Sequence, residues 1–377
     1  MKVIGLIAEY NPFHLGHLYQ IKKIKEIFPN SLIIAIISTN FTQRGDISII
    51  NKWEKTEISL NYGIDLVLEL PTLYATQSAD IFAYGAINIL SKFKIDTLVF
   101  GSECGDTEKL KKLAEIQLNN SRYQPLVKKY LDTGLNYPTA MNKALTELGG
   151  INIESPNDLL GLSYIKEIIK NNYKITPLAI KRTNDYHENK INSSIVSANL
   201  IRKMYSSNED VSNYIPSGTK KYLTKRITSN NAYPLLKYNI FINKNNLTSI
   251  LDVEEGLENK IIKSIQEANN YSELVNYIKS KRYTYNRISR MLLHILLNIK
   301  KEDNTKETYL RVLGFTKNGQ TYLNKIKKDI TAPIYTNYKP GKNKVLDIEF
   351  TTTCIYATIT DNQDLIWFEY RNKPIIK

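Results

Sequence analysis

Cysteine is scarce in this chain, with two among 377 residues, Cys104 and Cys354. That is too few for a disulfide framework or a cysteine-based metal site, and both read as ordinary reduced thiols. No apolar run approaches the ~18 residues needed to cross a bilayer. Met1-Lys2-Val3 leads directly into an apolar stretch without signal-peptide layout, so the expectation is a cytoplasmic protein with no membrane partner. Internal repeats and low-complexity linkers are missing too, so a domain boundary can be drawn only from a change of pattern along the chain. Acidic residues are outnumbered, 37 against 51 Lys and Arg, for a net charge of +14. What remains is a globular composition, 42% hydrophobic and 23% charged, long enough for two or three domains.

The positive charge is concentrated. Residues 1–200 hold 22 Lys and Arg against 20 Asp and Glu, whereas residues 279–345 hold 16 against 4. Interleaved with Tyr283, Tyr285, Tyr309, Tyr322, Tyr335 and Tyr338, this stretch suits a polyanion with stackable bases. Lys279, Lys281, Arg282, Arg287 and Arg290 are the candidate contacts. Residues 285–299 show helical spacing, with Ile288, Met291, Leu292, Ile295 and Leu296 on one face, so the later cations of this group are expected outward.

The first 210 residues alternate strand and helix signals. Apolar runs at 3–8, 31–38, 65–70, 95–101 and 175–180 have strand length, and helix-period segments at 17–28, 52–62, 78–92 and after Pro156 lie between them. Such alternation predicts an α/β fold with a doubly wound parallel sheet and ligands at the carboxyl ends of its strands. Beyond about residue 210 the pattern becomes mainly helical. Residues 344–350, 353–360 and 365–370 then read as short hairpin strands around an Asp361-Asn362 turn. The expected division is 1–210, a catalytic nucleotide domain, and 211–377, a basic helical region ending in short strands.

Two of the four histidines stand at His14 and His17, bracketing Gly16, where the first strand runs into a helix N-terminus. Glycine admits a close backbone approach and helix amides favour anions, so a phosphate is the natural guest. A strand followed by H-x-G-H resembles the HxGH nucleotidyltransferases. Ser197-Ala198-Asn199-Leu200-Ile201-Arg202 resembles their second motif, S-x-x-x-I-R, whose Ser and Arg face the ATP phosphates in that family.

The likeness is more specific than that. GLIAEYNPFHLGHLYQI, Asn40-Phe41-Thr42-Gln43-Arg44-Gly45, Lys52-Trp53, Ser155-Pro156-Asn157-Asp158 and the run from Tyr283-Thr284 to Leu293-His294 together resemble the tRNA(Met) cytidine acetate ligase family over almost the whole chain. The resemblance implies activation of acetate by ATP to acetyl-AMP, then transfer of the acetyl group to the wobble cytidine of elongator tRNA(Met). It maps the ATP loop to Ile7-Ala8-Glu9-Tyr10-Asn11-Pro12-Phe13-His14-Leu15-Gly16-His17-Leu18-Tyr19-Gln20, with further nucleotide contacts at Gly101, Asn157, Arg182, Ser197 and Arg202. Asn199 departs from the motif, which more often carries Thr there. ATP is expected with Mg²⁺ on its phosphate oxygens, with no protein metal cage, and His14 and His17 as the catalytic pair. Attack of a carboxylate on the α-phosphorus needs mainly positioning and charge stabilisation.

Two other readings stay open on the sequence: a small-molecule adenylyltransferase, for which the basic stretch is superfluous, and a non-enzymatic RNA-binding protein, for which the intact motifs are superfluous. Arg44 and Lys52 are open between ligand contacts and structural roles. His294 reads as a core histidine, and His187 has a weak claim.

Overall fold

The computed structural model describes residues 1–149, 152–182 and 195–377, so His187 lies outside the described residues. Strands β1 (Val3–Ala8), β2 (Leu32–Ser38), β3 (Leu66–Leu70), β4 (Thr97–Ser102) and β5 (Thr176–Lys181) form where the apolar runs predict them. They pair in parallel in the order β5-β4-β1-β2-β3. Residues of β2 alternate between two cores because successive side chains leave opposite faces. Ile33, Ala35 and Ile37 join one core, and Leu32, Ile34 and Ile36 join the other with Phe82, Ala86 and Leu90 of the Ala79–Lys92 helix. Burial on both faces explains the unbroken hydrophobicity of these strands.

The sheet continues past what the sequence suggested. Strand β6 (Leu310–Phe315) pairs antiparallel with β3, and β7 (Ile334–Tyr335) and β8 (Ile375–Ile376) both pair with β6, giving eight strands among the described residues. The sheet therefore crosses the division expected near residue 210.

The hairpins expected over 344–370 are instead two helices, Lys344–Ile359 and Asp364–Arg371. Asn343 caps the first by accepting from Leu346 N. Its buried residues include Val345, Leu346, Glu349, Thr352, Thr353, Tyr356 and Ala357, which is a helical spacing. Because Glu and Thr occupy the inward stripe, the hydrophobic period is hidden, and the β-branched residues read as strand.

These C-terminal elements are fastened to the sheet by a buried ionic cluster. Lys52 Nζ lies 2.7 Å from Glu69 of β3 and 3.0 Å from Glu369, while Arg311 of β6 donates to Glu369 at 2.7 Å. Tyr309 Oη donates to Glu69 at 2.5 Å and Trp53 Nε1 to Glu369 at 3.1 Å. Lys52 is thus a structural group. Glu349, against Thr39 Oγ1 and Thr72 N, has its pKa raised by burial and by Glu69.

Candidate nucleotide site

The strand order reverses between β1 and β4, and a crevice at the carboxyl ends of those two strands is where an open α/β sheet receives a ligand. Past β1 the chain turns at Tyr10, whose backbone takes φ +45°, and reaches His14 at the N-cap of the Leu15–Ile27 helix. His14 Nδ1 accepts from Gly16 N at 3.0 Å, and His17 Nδ1 accepts from His14 N at 3.2 Å. This is a reciprocal capping box built from two histidines, and it explains the spacing of three. The imidazoles stack with centroids 3.8 Å apart. A side chain at Gly16 would place Cβ 2.8 Å from His14 Cε1, so the residue between them is confined to glycine.

The same bonds assign the tautomer. With Nδ1 of each ring accepting, each neutral imidazole carries its proton on Nε2. Both rings are neutral. Burial, reinforced by Arg182 and Arg202, pushes the His14 pKa down to about 3. Burial, with His14 and Arg182 nearby, holds His17 well below its ordinary value. Tyr10 and Phe13 are buried and prop the His17 ring, with centroids 4.8 and 5.5 Å away. They support the pair from within the loop.

The second motif comes to the same place. Ser197 caps the Ala198–Ser206 helix by accepting from Leu200 N, and Arg202 Nη1 donates to Asn11 O at 2.8 Å. Arg202 Nη2 stands 3.3 Å from Asp46 Oδ2. At the end of β4, Arg182 folds past Gly101, its Cγ 3.5 Å from where a Cβ would stand. Its Nε is 4.0 Å from Glu103 and, among the described residues, is buried without a hydrogen bond, as is Asn11 Nδ2. Asn157 Nδ2 donates to Glu103 Oε1 at 2.5 Å. The buried Asp158 carboxylate accepts from Ser102 Oγ, Glu103 N and Cys104 N, fixing the turn after β4.

Arg44 shares this neighbourhood. Burial lowers its pKa against the opposing pull of Glu9, with Arg202, Asp46 and Arg182 also in range. Sequence reasoning passed over Lys55, which is buried below the strand ends and donates to Ser38 O at 3.1 Å and Thr39 O at 2.6 Å. Burial lowers its pKa to about 7. Glu103 and Asp46 went unassigned as well. The signal available for Glu103 was its place directly after a strand-ending Gly-Ser turn.

The basic stretch is less uniform than expected. Lys279, Lys281 and Arg282 are exposed at the end of the Tyr271–Ile278 helix and beyond. Arg287 pairs with Glu254, whose carboxylate also accepts from Tyr283 Oη. Arg290 is turned partly inward, donating to Gln43 O at 3.4 Å, because the Tyr285–Leu297 helix abuts the loop carrying Arg44. At Gly45, φ +84°, a Cβ would stand 2.5 Å from Ser289 C. Tyr309, Tyr322 and Tyr338 are buried and belong to the cores. His294 is buried, 3.1 Å from Thr76 Oγ1 and 3.2 Å from Asp252, as a core histidine.

The HIGH Nucleotidyl Transferase family model matches residues 1–366. The tRNA(Met) cytidine acetate ligase of Clostridium novyi is 38% identical, over 95% of this chain and 96% of its own length. That of a Thermoanaerobacter species is 39% identical over 100% and 97%. The chain belongs to the tRNA(Met) cytidine acetate ligase family. It is therefore an enzyme of the ligase class, which removes the reading as a non-enzymatic binder. The crystal structure of Thermotoga maritima TmcAL bound with alpha-thio ATP matches with a TM-score of 0.89 at 29% identity, over 100% of this chain and 99% of that one. The apo form of the same Thermotoga protein matches with a TM-score of 0.91 at 30% identity.

Proposed function

We propose that the chain activates acetate with ATP to acetyl-AMP and pyrophosphate, then transfers the acetyl group to the wobble cytidine of elongator tRNA(Met). The observation that carries the reading is the neutral, Nδ1-accepting histidine pair set beside Arg182 and Arg202 at the strand-order reversal. Each Nε2–H is a donor for a phosphate oxygen, and the arginines supply the charge. The orphaned Arg182 Nε and Asn11 Nδ2 suit a ligand that completes their bonding.

In the first step an acetate oxygen bonds to the α-phosphorus and the bond to pyrophosphate breaks, while His14 and His17 stabilise the charge that develops. Gly101 and Asn157 meet the nucleotide beside them, while Arg182 and Arg202 hold its phosphates. In the second step the cytidine N4 bonds to the acetyl carbon, the bond to AMP breaks and N4 loses a proton. A wobble base lies in a single-stranded loop, so it reaches the site without opening a duplex. Lys279, Lys281 and Arg282 are the cations best placed to meet the RNA backbone, with Arg287 and Arg290 contributing less because both are engaged. Mg²⁺ accompanies the triphosphate; among the described residues no three His, Cys, Asp or Glu side chains stand together as a cage for it.

The test is to incubate the protein with ATP, labelled acetate and total tRNA. Label recovered as N4-acetylcytidine is the expected result. Label recovered only in a small AMP conjugate would assign the chain to small-molecule adenylyl transfer.

A further inference from the structure

The Asp364–Arg371 helix carries an aromatic surface that no part of the described chain covers. Trp367, Phe368 and Tyr370 are 57%, 43% and 38% exposed. Trp367, Tyr370 and Arg371 fall at i, i+3 and i+4, which puts them on one side of the helix. The opposite side is anchored, with Leu365 and Glu369 buried. Tyr370 is seated against other rings. Tyr338 stacks on Phe350 at 4.2 Å, and Tyr370 stands edge-on to both at 5.3 and 4.9 Å. Tyr338 N donates to Glu369 O of this helix, and Gly341 N donates to Asp347 of the neighbouring Lys344–Ile359 helix, which fixes the segment between them.

Cations surround these rings. Residues 337–344 contain three lysines and no acid, and residues 370–377 contain Arg371, Lys373 and Lys377 and no acid. Lys344 pairs with Asp303 and Lys377 with Glu57. Lys339, Lys342, Arg371 and Lys373 are exposed and lack an ion-pair partner among the described residues. The Arg371 guanidinium lies over the Trp367 ring at 5.0 Å. A second copy of this chain would bring the same cations against them. A single strand of nucleic acid brings the opposite charge and flat bases, and base stacking on aromatic side chains framed by cations is how such strands are held.

We propose that the outer side of the Asp364–Arg371 helix is a stacking platform for unpaired bases of RNA, with Trp367 and Tyr370 as the stacking rings and Lys339, Lys342, Arg371 and Lys373 as the phosphate contacts. This deepens the acetyl-transfer reading, on which it rests for the identity of the RNA. It adds a second place of contact beside the 279–290 stretch.

The chain reports on this surface directly. It has two tryptophans, and Trp53 is buried, so quenching of intrinsic fluorescence by acrylamide reads Trp367. Titrating with tRNA, and separately with single-stranded polycytidylate, is expected to shield Trp367 from acrylamide. Trp367→Ala with Tyr370→Ala is expected to weaken tRNA binding about tenfold or more, and Trp367→Phe to restore most of it. Arg371→Gln with Lys373→Gln is expected to flatten the salt dependence of binding by about one unit in log K against log salt. Trp367 staying open to acrylamide at saturating tRNA would overturn the proposal. So would wild-type affinity in the double aromatic variant with an unchanged circular dichroism spectrum, or loss of a dimer in that variant with RNA affinity intact. RNA that shields Trp367 while no acetylcytidine forms would sink the acetyl-transfer reading and leave the platform standing. Acetylcytidine formed with Trp367 open would do the reverse.

Discussion

Two polar clusters sit on this sheet, and they differ in how their charges are satisfied. Around Lys52, two cations and the carboxylates of Glu69 and Glu369 meet at 2.7 to 3.5 Å with their side chains essentially out of water. Around His14 and His17, the pairs are open to water: Arg202 to Asp46 at 3.3 Å and Arg182 to Glu103 at 4.0 Å, with each arginine partly exposed. The first cluster pairs its charges inside the protein and joins β3, β6 and the C-terminal helix, although Arg311 Nε and Nη2 are left without a hydrogen bond among the described residues. The second stands at an open crevice where solvent or a ligand can reach its charges. Both contain residues of the kind a sequence reader marks as functional, and charge closure tells them apart.

The largest effect should come from breaking the closed cluster. Lys52→Ala leaves Glu69 and Glu369 sharing only Arg311, and removing one partner of a buried ion pair costs about 3–5 kcal/mol. Denaturant unfolding measures it, and adding Glu69→Gln to the same chain should recover part of the loss. A cost under about 1 kcal/mol would make the cluster incidental.

Next in size is the open cluster. Arg182→Ala or Arg202→Ala removes charged donors worth about 1.5–3 kcal/mol each to a phosphate, so the KM for ATP should rise roughly 10- to 100-fold. Neither variant should change the salt slope of tRNA binding. A variant that kept its ATP affinity and lost tRNA would move that arginine to the RNA side.

A smaller effect is set by pH. His14 titrates at about 3 when folded, against the ordinary value of 6.5 that the unfolded chain retains. Between those values the unfolded chain binds a proton that the native chain refuses, so stability falls as pH drops through this window. The slope from this one group is at most about 1.4 kcal/mol per pH unit. Comparing wild type with His14→Gln from the ordinary histidine range downward isolates it; the variant should lose stability more slowly. Equal slopes would place the His14 ring in water. The smallest effect belongs to Arg287→Gln, which removes a cation already paired with Glu254 and should change the salt slope of tRNA binding by less than about one unit.

Much of the nucleotide end was legible because its signals are local. Buried parallel strands are short apolar runs, and H-x-G-H sits where such a run ends. What stayed hidden depends on distant partners. Lys52 could be placed only once Glu69, Arg311 and Glu369, which lie far apart along the chain, came together. The Lys344–Ile359 helix was concealed because Glu349, Thr352 and Thr353 face inward where apolar residues were sought. Trp367 and Tyr370 did not stand out as one surface for the same reason, since a strand over 365–370 would have put them on opposite faces. Arg290 looked outward by helical spacing, yet the Gly45 loop packs against that helix and engages it.

The most direct test of the capped histidine pair is acetate-dependent exchange of labelled pyrophosphate into ATP in the absence of RNA, in wild type, His14→Ala and His17→Ala. Wild type should exchange only when acetate is present, and each variant should lose about 10²–10³ in rate, the usual consequence of removing one preorganised donor to a developing charge. Circular dichroism should show both variants folded, with about 1 kcal/mol lost from the helix cap. Exchange at the wild-type rate in both variants would contradict the assignment of the two histidines to the chemistry.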